Sequence, residues 1–164
     1  MSITELQISP ALFLKDIIIP ALKAIAKDSI VAEQLLLGTA IQESHLKYLR
    51  QLNNGPALGY FQMEPKTHDD IWKNFLDYRP TLAAKILSLG GISDASSNLL
   101  TTNHKYAAAM ARIQYLRAPK PLPTSGDINA IAQYWKQFYN TGGGKGTTDE
   151  FVINWQKANA SSLF

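Results

Sequence analysis

Apolar residues recur along this chain at three- and four-residue intervals, the spacing that lines one face of an α-helix. Ser9 before Pro10 has the form of an N-cap followed by proline at the first helical position, where the missing N–H costs nothing. From there ALFLKDIII predicts a helix running toward Pro20, and ALKAIAK either continues it with a kink or starts another. Leu12, Phe13, Ile17, Leu22 and Ile25 are the expected buried positions. Asp28-Ser29 reads as a stop and restart. The next helix is expected over roughly residues 30 to 49, with Leu36, Ala40, Ile41 and Tyr48 among its spaced apolar positions.

Residues 51 to 65 change character. Asn53-Asn54-Gly55-Pro56 signals a turn, while residues 57 to 63 alternate too little for a helix or a strand, so an irregular or two-stranded flap is expected. Thr67 can cap a helix from Asp69 to Tyr78, with Asp69 and Asp70 in its first turn. Pro80 begins another helical stretch ending at Gly90-Gly91, and SDASSN follows as a surface connection. Residues 104 to 117 give the clearest interior helix, since the small residues of YAAAMARIQYL permit close packing. PKPLPTSG reads as an extended loop, after which Asp127 restarts a helix through Trp135 and Tyr139. TGGGKGT must turn. Thr147 and Glu150 have capping-box spacing, and FVINWQKA closes the chain as a short helix. Strand signals are nearly absent, so the fold class is mostly α, with at most a small β-hairpin or irregular flap.

Length and composition narrow the picture. A chain of 164 residues is long enough for one core and too short for two ordinary domains, so residues 1–164 are expected to form one. There is no cysteine, which removes disulfides and thiolate chemistry. Lys15, Asp16 and Lys23 interrupt the most apolar part, so neither a transmembrane span nor membrane insertion is expected. MSITELQISP lacks a basic start and a clean apolar run and does not read as a secretory signal; action outside the cytoplasm would need another route. The net charge of +3 is too small and scattered for a phosphate-backbone track, and Arg117 and Lys120 read as a solvated connector. Nucleic acid is therefore not an expected partner. The same charge would assist approach to an anionic polymer such as a cell wall.

Glu43 is the leading candidate for chemistry. It lies three residues after Ala40 and seven after Leu36, at the margin of the apolar stripe, where partial burial raises a carboxyl's pKa and lets it act as a general acid. The competing reading pairs it with Lys47, four residues on. In GPALGYFQMEP, Gly59 would let main chain approach a substrate closely, and Gln62 supplies amide donors and an acceptor among apolar neighbours. Tyr139 and Asn140 stand at a helix end before three glycines, where both could project into a groove; Trp135 is either core or a sugar-stacking face. His45, His68 and His104 lack HExxH spacing, so neither a catalytic metal nor a cofactor is expected. GGGKGTT lacks the order of a phosphate loop, and Ser44 beside His45 is no nucleophilic couple, because adjacent helical residues point about 100° apart.

Together these segments resemble the lysozyme-like lytic transglycosylases, the soluble-transglycosylase branch related to goose-type lysozyme and common among bacteriophage wall-degrading proteins. AIQES, with Glu43-Ser44, resembles the segment bearing that family's catalytic glutamate, and ALGYFQMEPKT, residues 57 to 67, its second motif. YAAAMARIQYLR, 106 to 117, resembles the alanine-rich third segment and YNTGG, 139 to 143, the final motif. The similarity spans about residues 30 to 145. It implies a lysozyme-like helical domain that cleaves the β-1,4 bond between N-acetylmuramic acid and N-acetylglucosamine in peptidoglycan, leaving 1,6-anhydromuramyl ends. On the same resemblance Glu43 would be the acid and then the base. Gln62, Tyr139, Asn140 and Tyr60 would contact substrate, and Ser44, Gly59 and Gly142 would support the site. The expected partners are peptidoglycan glycan strands, met by a monomer acting at the bacterial wall after lysis or on a phage particle.

Two departures matter. Relatives often carry a polar loop with a serine about nine residues after the glutamate, where this chain has Leu52 and a compact QLNNGP turn. Glu64 stands where an apolar residue is usual; it is either a surface charge beside a helix or a second carboxylate that orients water, which would make the protein a hydrolytic muramidase. A non-catalytic wall-binding or virion module is the remaining alternative.

Overall fold

A computed structural model describes residues 7–140 and 144–164. The helices are α1 (Pro10–Phe13), α2 (Ile19–Ala24), α3 (Ile30–Ser44), α4 (Pro65–Asn74), α5 (Pro80–Gly90), α6 (Leu99–Thr102), α7 (His104–Leu116), α8 (Ile128–Phe138) and α9 (Thr148–Lys157). The protein is mostly α-helical, with no β-strand among the described residues.

Side-chain caps set most of the starts. Ser9 Oγ accepts from Leu12 N at 3.2 Å, Ser29 Oγ from Ala32 N at 3.2 Å, and Asp127 Oδ1 from Ala130 N at 3.1 Å. Thr147 and Glu150 form the expected capping box at α9. Gly91, in the left-handed region at φ 63°, ends α5 as anticipated. Pro20 has no N–H to continue the ladder, and the turn just before it, Leu14–Ile18, is wound as a π-helix that joins α1 to α2.

Helix α3 is the centre of the core. Every residue from Ala32 to Ile41 is buried, nearly three full turns, so the helix is covered on all sides. Helices α7, α8 and α9 pack around it, with α1 against one end. At Gly38 the ring of Phe151 from α9 comes too close for any Cβ. Tyr115 of α7 bonds Thr39 Oγ1 at 2.7 Å; because Thr39 gives its own proton to Leu35 O, Tyr115 is the donor. Helix α7 is the second interior element, with Tyr106 through Ile113 buried. It is tied to α4 through Tyr106, whose hydroxyl meets His68 Nε2 at 2.7 Å and Trp72 Nε1 at 3.1 Å.

Several expectations are corrected. Leu12 is 51 % exposed, because it projects away from the face shared by Phe13 and Ile17. Helix α3 stops at Ser44 and not near residue 49, since His45 and Leu46 both enter the left-handed region, so Tyr48 lies outside it. Helix α4 starts at Pro65 rather than under a Thr67 cap, and ends at Asn74 before a separate 3-10 turn at Leu76–Tyr78; Asp69 and Asp70 therefore fall beyond its first turn. The flap, by contrast, takes the irregular form that was one of the two expected, with two isolated antiparallel bridges, Arg50 to Leu58 and Leu58 to Met63. In the TGGGKGT turn, residues 141–143 lie outside the described residues.

Gly59 has φ 76°, and a Cβ there would collide with the carbonyl oxygen of Leu100. The close approach expected at this glycine is thus made to the protein's own main chain. Gly59→Ala is expected to destabilise the fold by about 2 kcal/mol or more, from left-handed strain plus the clash. Thermal unfolding checks this as a fall in Tm of roughly 4 to 8 °C.

Candidate active site

The two left-handed residues after α3 place Glu43 in its last turn, at the rim of the core. Leu46, with φ 52°, is 2 % exposed, and its carbonyl accepts from Ile8 N at 3.0 Å, which pins the turn. The chain then leaves the helix axis. Lys47 is carried off the register that would have set it one turn above Glu43, and its ammonium lies 5.2 Å from the Tyr48 ring centroid.

Glu43 faces a cleft of about 960 Å³. One wall is the end of α3, the second is the segment from Tyr48 to Thr67, and the third is the end of α8 with Gly144 to Gly146 and Glu150. Gln62, Glu64, Tyr139 and Asn140 line this cleft together with Glu43. Residues far apart in the chain are therefore brought to one place.

The Glu43 carboxyl is partly withdrawn from water, and Oε1 accepts a hydrogen bond from Trp135 Nε1 at 3.0 Å. Burial raises its pKa above the usual carboxylate range; hydrogen bonds from Trp135 and Asn140 and the charge of Lys136 pull the other way without cancelling the effect. Such a group retains its proton at higher pH than an exposed glutamate does.

Lys136 organises the glycine-rich side. Its ammonium donates to Asn140 Oδ1 at 2.7 Å, Gly144 O at 2.9 Å and Gly146 O at 2.6 Å, using all three of its protons. Gly146 must be small, since a Cβ there would stand 2.7 Å from Trp135 Cη2. Tyr139 joins two walls: its hydroxyl donates to Phe61 O at 2.7 Å and its ring stacks on Tyr115 at 5.2 Å between centroids. Burial, followed by the nearby Glu43 charge, pushes its phenol well above the ordinary tyrosine range, so it stays a neutral donor.

Gln62 occupies a left-handed position at φ 48° and gives one amide proton to Gly59 O at 2.9 Å, which leaves its carbonyl oxygen for a ligand. Ser44 is fully buried and bonds Ala40 O at 2.9 Å, a supporting contact inside α3. Tyr60 does not reach the cleft. It is 2 % exposed and packs on Phe13 at 5.3 Å and His104 at 4.8 Å, because its apolar ring fills the core behind the flap. Gly142 lies outside the described residues.

Several residues in or beside the cleft escaped sequence reasoning or were given other roles. Trp135 is wholly buried, yet its indole N–H holds the Glu43 carboxylate, so it is core and site at once. Lys136 could have been found from its spacing of four to Asn140 on the α8 face. Glu150 was read only as a cap, although it also lines the cleft and meets Gln42 Nε2 at 3.5 Å. Gln114 gives an amide proton to Phe138 O at 3.2 Å, while its buried Oε1 has no hydrogen-bond partner among the described residues. Among the described residues no group of three or more His, Asp or Glu is placed to hold a metal ion, and no helix is long and apolar enough to cross a membrane.

Comparison with protein-family models, curated proteins and solved structures gives no match to this chain.

Two consequences of the Glu43 environment can be measured without any substrate. Its folded pKa is raised, so its contribution to stability is greatest where it is protonated and declines as pH rises from the unfolded pKa through the folded one. Glu43→Gln removes that penalty: its Tm should exceed the parent's near pH 8, and the gap should close below about pH 4. Trp135→Phe removes a hydrogen bond that favours the charged form, and should raise the Glu43 pKa further in a carboxyl-carbon NMR titration.

Proposed function

We propose that this protein is a peptidoglycan lytic transglycosylase with a lysozyme-like helical fold, acting on the β-1,4 bond between N-acetylmuramic acid and N-acetylglucosamine. The observation that carries this reading is Glu43: a carboxyl with raised pKa, held by Trp135 in the wall of a cleft large enough for a polymer segment. The segments that resemble the family's motifs, AIQES, ALGYFQMEPKT and YNTGG, supply Glu43, Gln62, Tyr139 and Asn140 to this one cleft.

In this mechanism Glu43 gives its proton to the leaving glycosidic oxygen as the bond to C1 breaks. The resulting carboxylate takes the proton of the muramyl C6 hydroxyl, whose oxygen bonds C1 and closes the 1,6-anhydro ring. Because the attacking hydroxyl is tethered to the same sugar, little orientational entropy remains to be lost. Trp135 and Asn140 stabilise the carboxylate during the interval when it carries charge. Gln62 supplies polar contacts for acetamido and hydroxyl groups.

Hydrolysis by water is the second reading, and it is favoured by one observation: Glu64 and Glu150 line the same cleft as Glu43. Either could orient a water on the far side of the sugar.

Glu43→Gln should reduce release of wall fragments by roughly 10² or more, consistent with loss of general acid–base help. Mass analysis of the fragments decides between products: 1,6-anhydro ends support the transglycosylase, whereas reducing muramic ends with loss of activity in Glu64→Gln or Glu150→Gln support the muramidase. Unchanged lysis by Glu43→Gln rejects both.

A further inference from the structure

Lys136 stands in the last turn of α8, beside the cleft, yet its three ammonium protons are all spent on the protein: on Asn140 Oδ1 at 2.7 Å, Gly144 O at 2.9 Å and Gly146 O at 2.6 Å. No donor is left over for a ligand. Whatever Lys136 does for the site it does by its charge and through the groups it holds.

One of those groups has two unlike ends. An ammonium only donates, so the oxygen of the Asn140 amide has to be the atom turned toward it, and a flipped amide would set donor against donor. The side chain is fenced as well as bonded. Asn140 N donates to Trp135 O at 3.0 Å, and the main chain at Gly144 lies so near that a Cβ there would collide with the Asn140 amide. With Oδ1 committed to Lys136, the amide N–H groups are the ones that remain for Glu43, to which Asn140 is a hydrogen-bond donor. Trp135 and Asn140 thus bring two donors to one carboxyl from the same end of α8.

The other ionisable groups nearby do not duplicate this arrangement. Burial pushes the phenols of Tyr115 and Tyr139 well above the ordinary tyrosine range, so both stay neutral. His45, Glu64, Lys66, Lys145 and Glu150 line the cleft, but Lys136 is the cation whose charge acts on the Glu43 carboxyl.

We infer that Lys136 is a positioning residue: by holding the Asn140 oxygen it points the amide N–H groups at Glu43, and so supports the carboxylate that forms once Glu43 has given up its proton. The catalytic use of this arrangement rests on the proposed glycan-cleaving activity, whereas the orientation of the amide does not.

The first test needs no substrate. In the parent protein the side-chain amide protons of Asn140 should shift in an NMR titration as Glu43 ionises, and Glu43→Gln should abolish that shift. Lys136→Met should uncouple the Asn140 amide and move the Glu43 carboxyl-carbon titration to higher pH. In an Asn140→Ala background the same substitution should move it by less, because only the charge is then lost. An Asn140 amide that ignores the Glu43 titration in the parent, or a Lys136→Met shift of equal size in both backgrounds, overturns the inference. With cell wall as substrate, the alkaline limb of fragment release should follow the Glu43 titration to higher pH in Lys136→Met, since cleavage requires the protonated acid. A limb that stays in place while the titration moves overturns the catalytic use of Lys136. A parent that releases no fragments overturns the glycan-cleaving reading, and the orientation of the amide is then decided by the titrations alone.

Discussion

The burial of α3 is the constraint on which the rest depends. A helix covered along nearly three turns leaves its neighbours no choice about where to pack, and α7, α8 and α9 accordingly close around it. Its last turn is the first place where the covering thins. There a carboxyl emerges beside a buried indole, neither fully solvated nor fully enclosed. The same packing that stabilises the domain therefore creates the chemical peculiarity of Glu43.

The surroundings of that carboxyl are balanced rather than simply apolar. Desolvation favours the proton, whereas Trp135, Asn140 and Lys136 favour its loss. A group held by opposed influences of this kind changes state more readily than one fixed by a salt bridge, which is what a residue used alternately as acid and base requires. Lys136 does its part from a distance set by its three acceptors, so charge compensation and the shape of the glycine-rich side are tied to one side chain.

Much of the fold was legible because its signals are local. Caps at Ser9, Ser29, Asp127 and Thr147, the glycine stop at Gly91 and the alanine-rich interior of α7 each act within one or two turns. The misjudged end of α3 has its origin in left-handed residues that are not glycine. Nothing in the spacing of apolar residues says that His45 and Leu46 turn the chain, and without that turn the helix through Tyr48 looks continuous. Glu43, Gln62, Tyr139 and Asn140 could be nominated from sequence, but the pairing of Trp135 with Glu43 spans 92 residues and exists only once α8 docks on α3. Tyr60 shows the reverse failure: a polar aromatic two residues before the cleft residue Gln62 was turned inward by the demand for a ring against Phe13.

The strut from Tyr139 to Phe61 has a wider implication. Together with the bond from Gly59 N to Leu49 O at 2.7 Å and the contact of Gly59 with Leu100, it fastens the loop before α4 on three sides. The groove is thus preorganised, and seating a chain molecule in it sacrifices little backbone freedom on the receptor's side. Were the proposed polymer to bind there, attraction gathered by its outlying units would be left over to bend the unit at the centre out of its resting shape, where a floppier receptor would dissipate it in ordering itself.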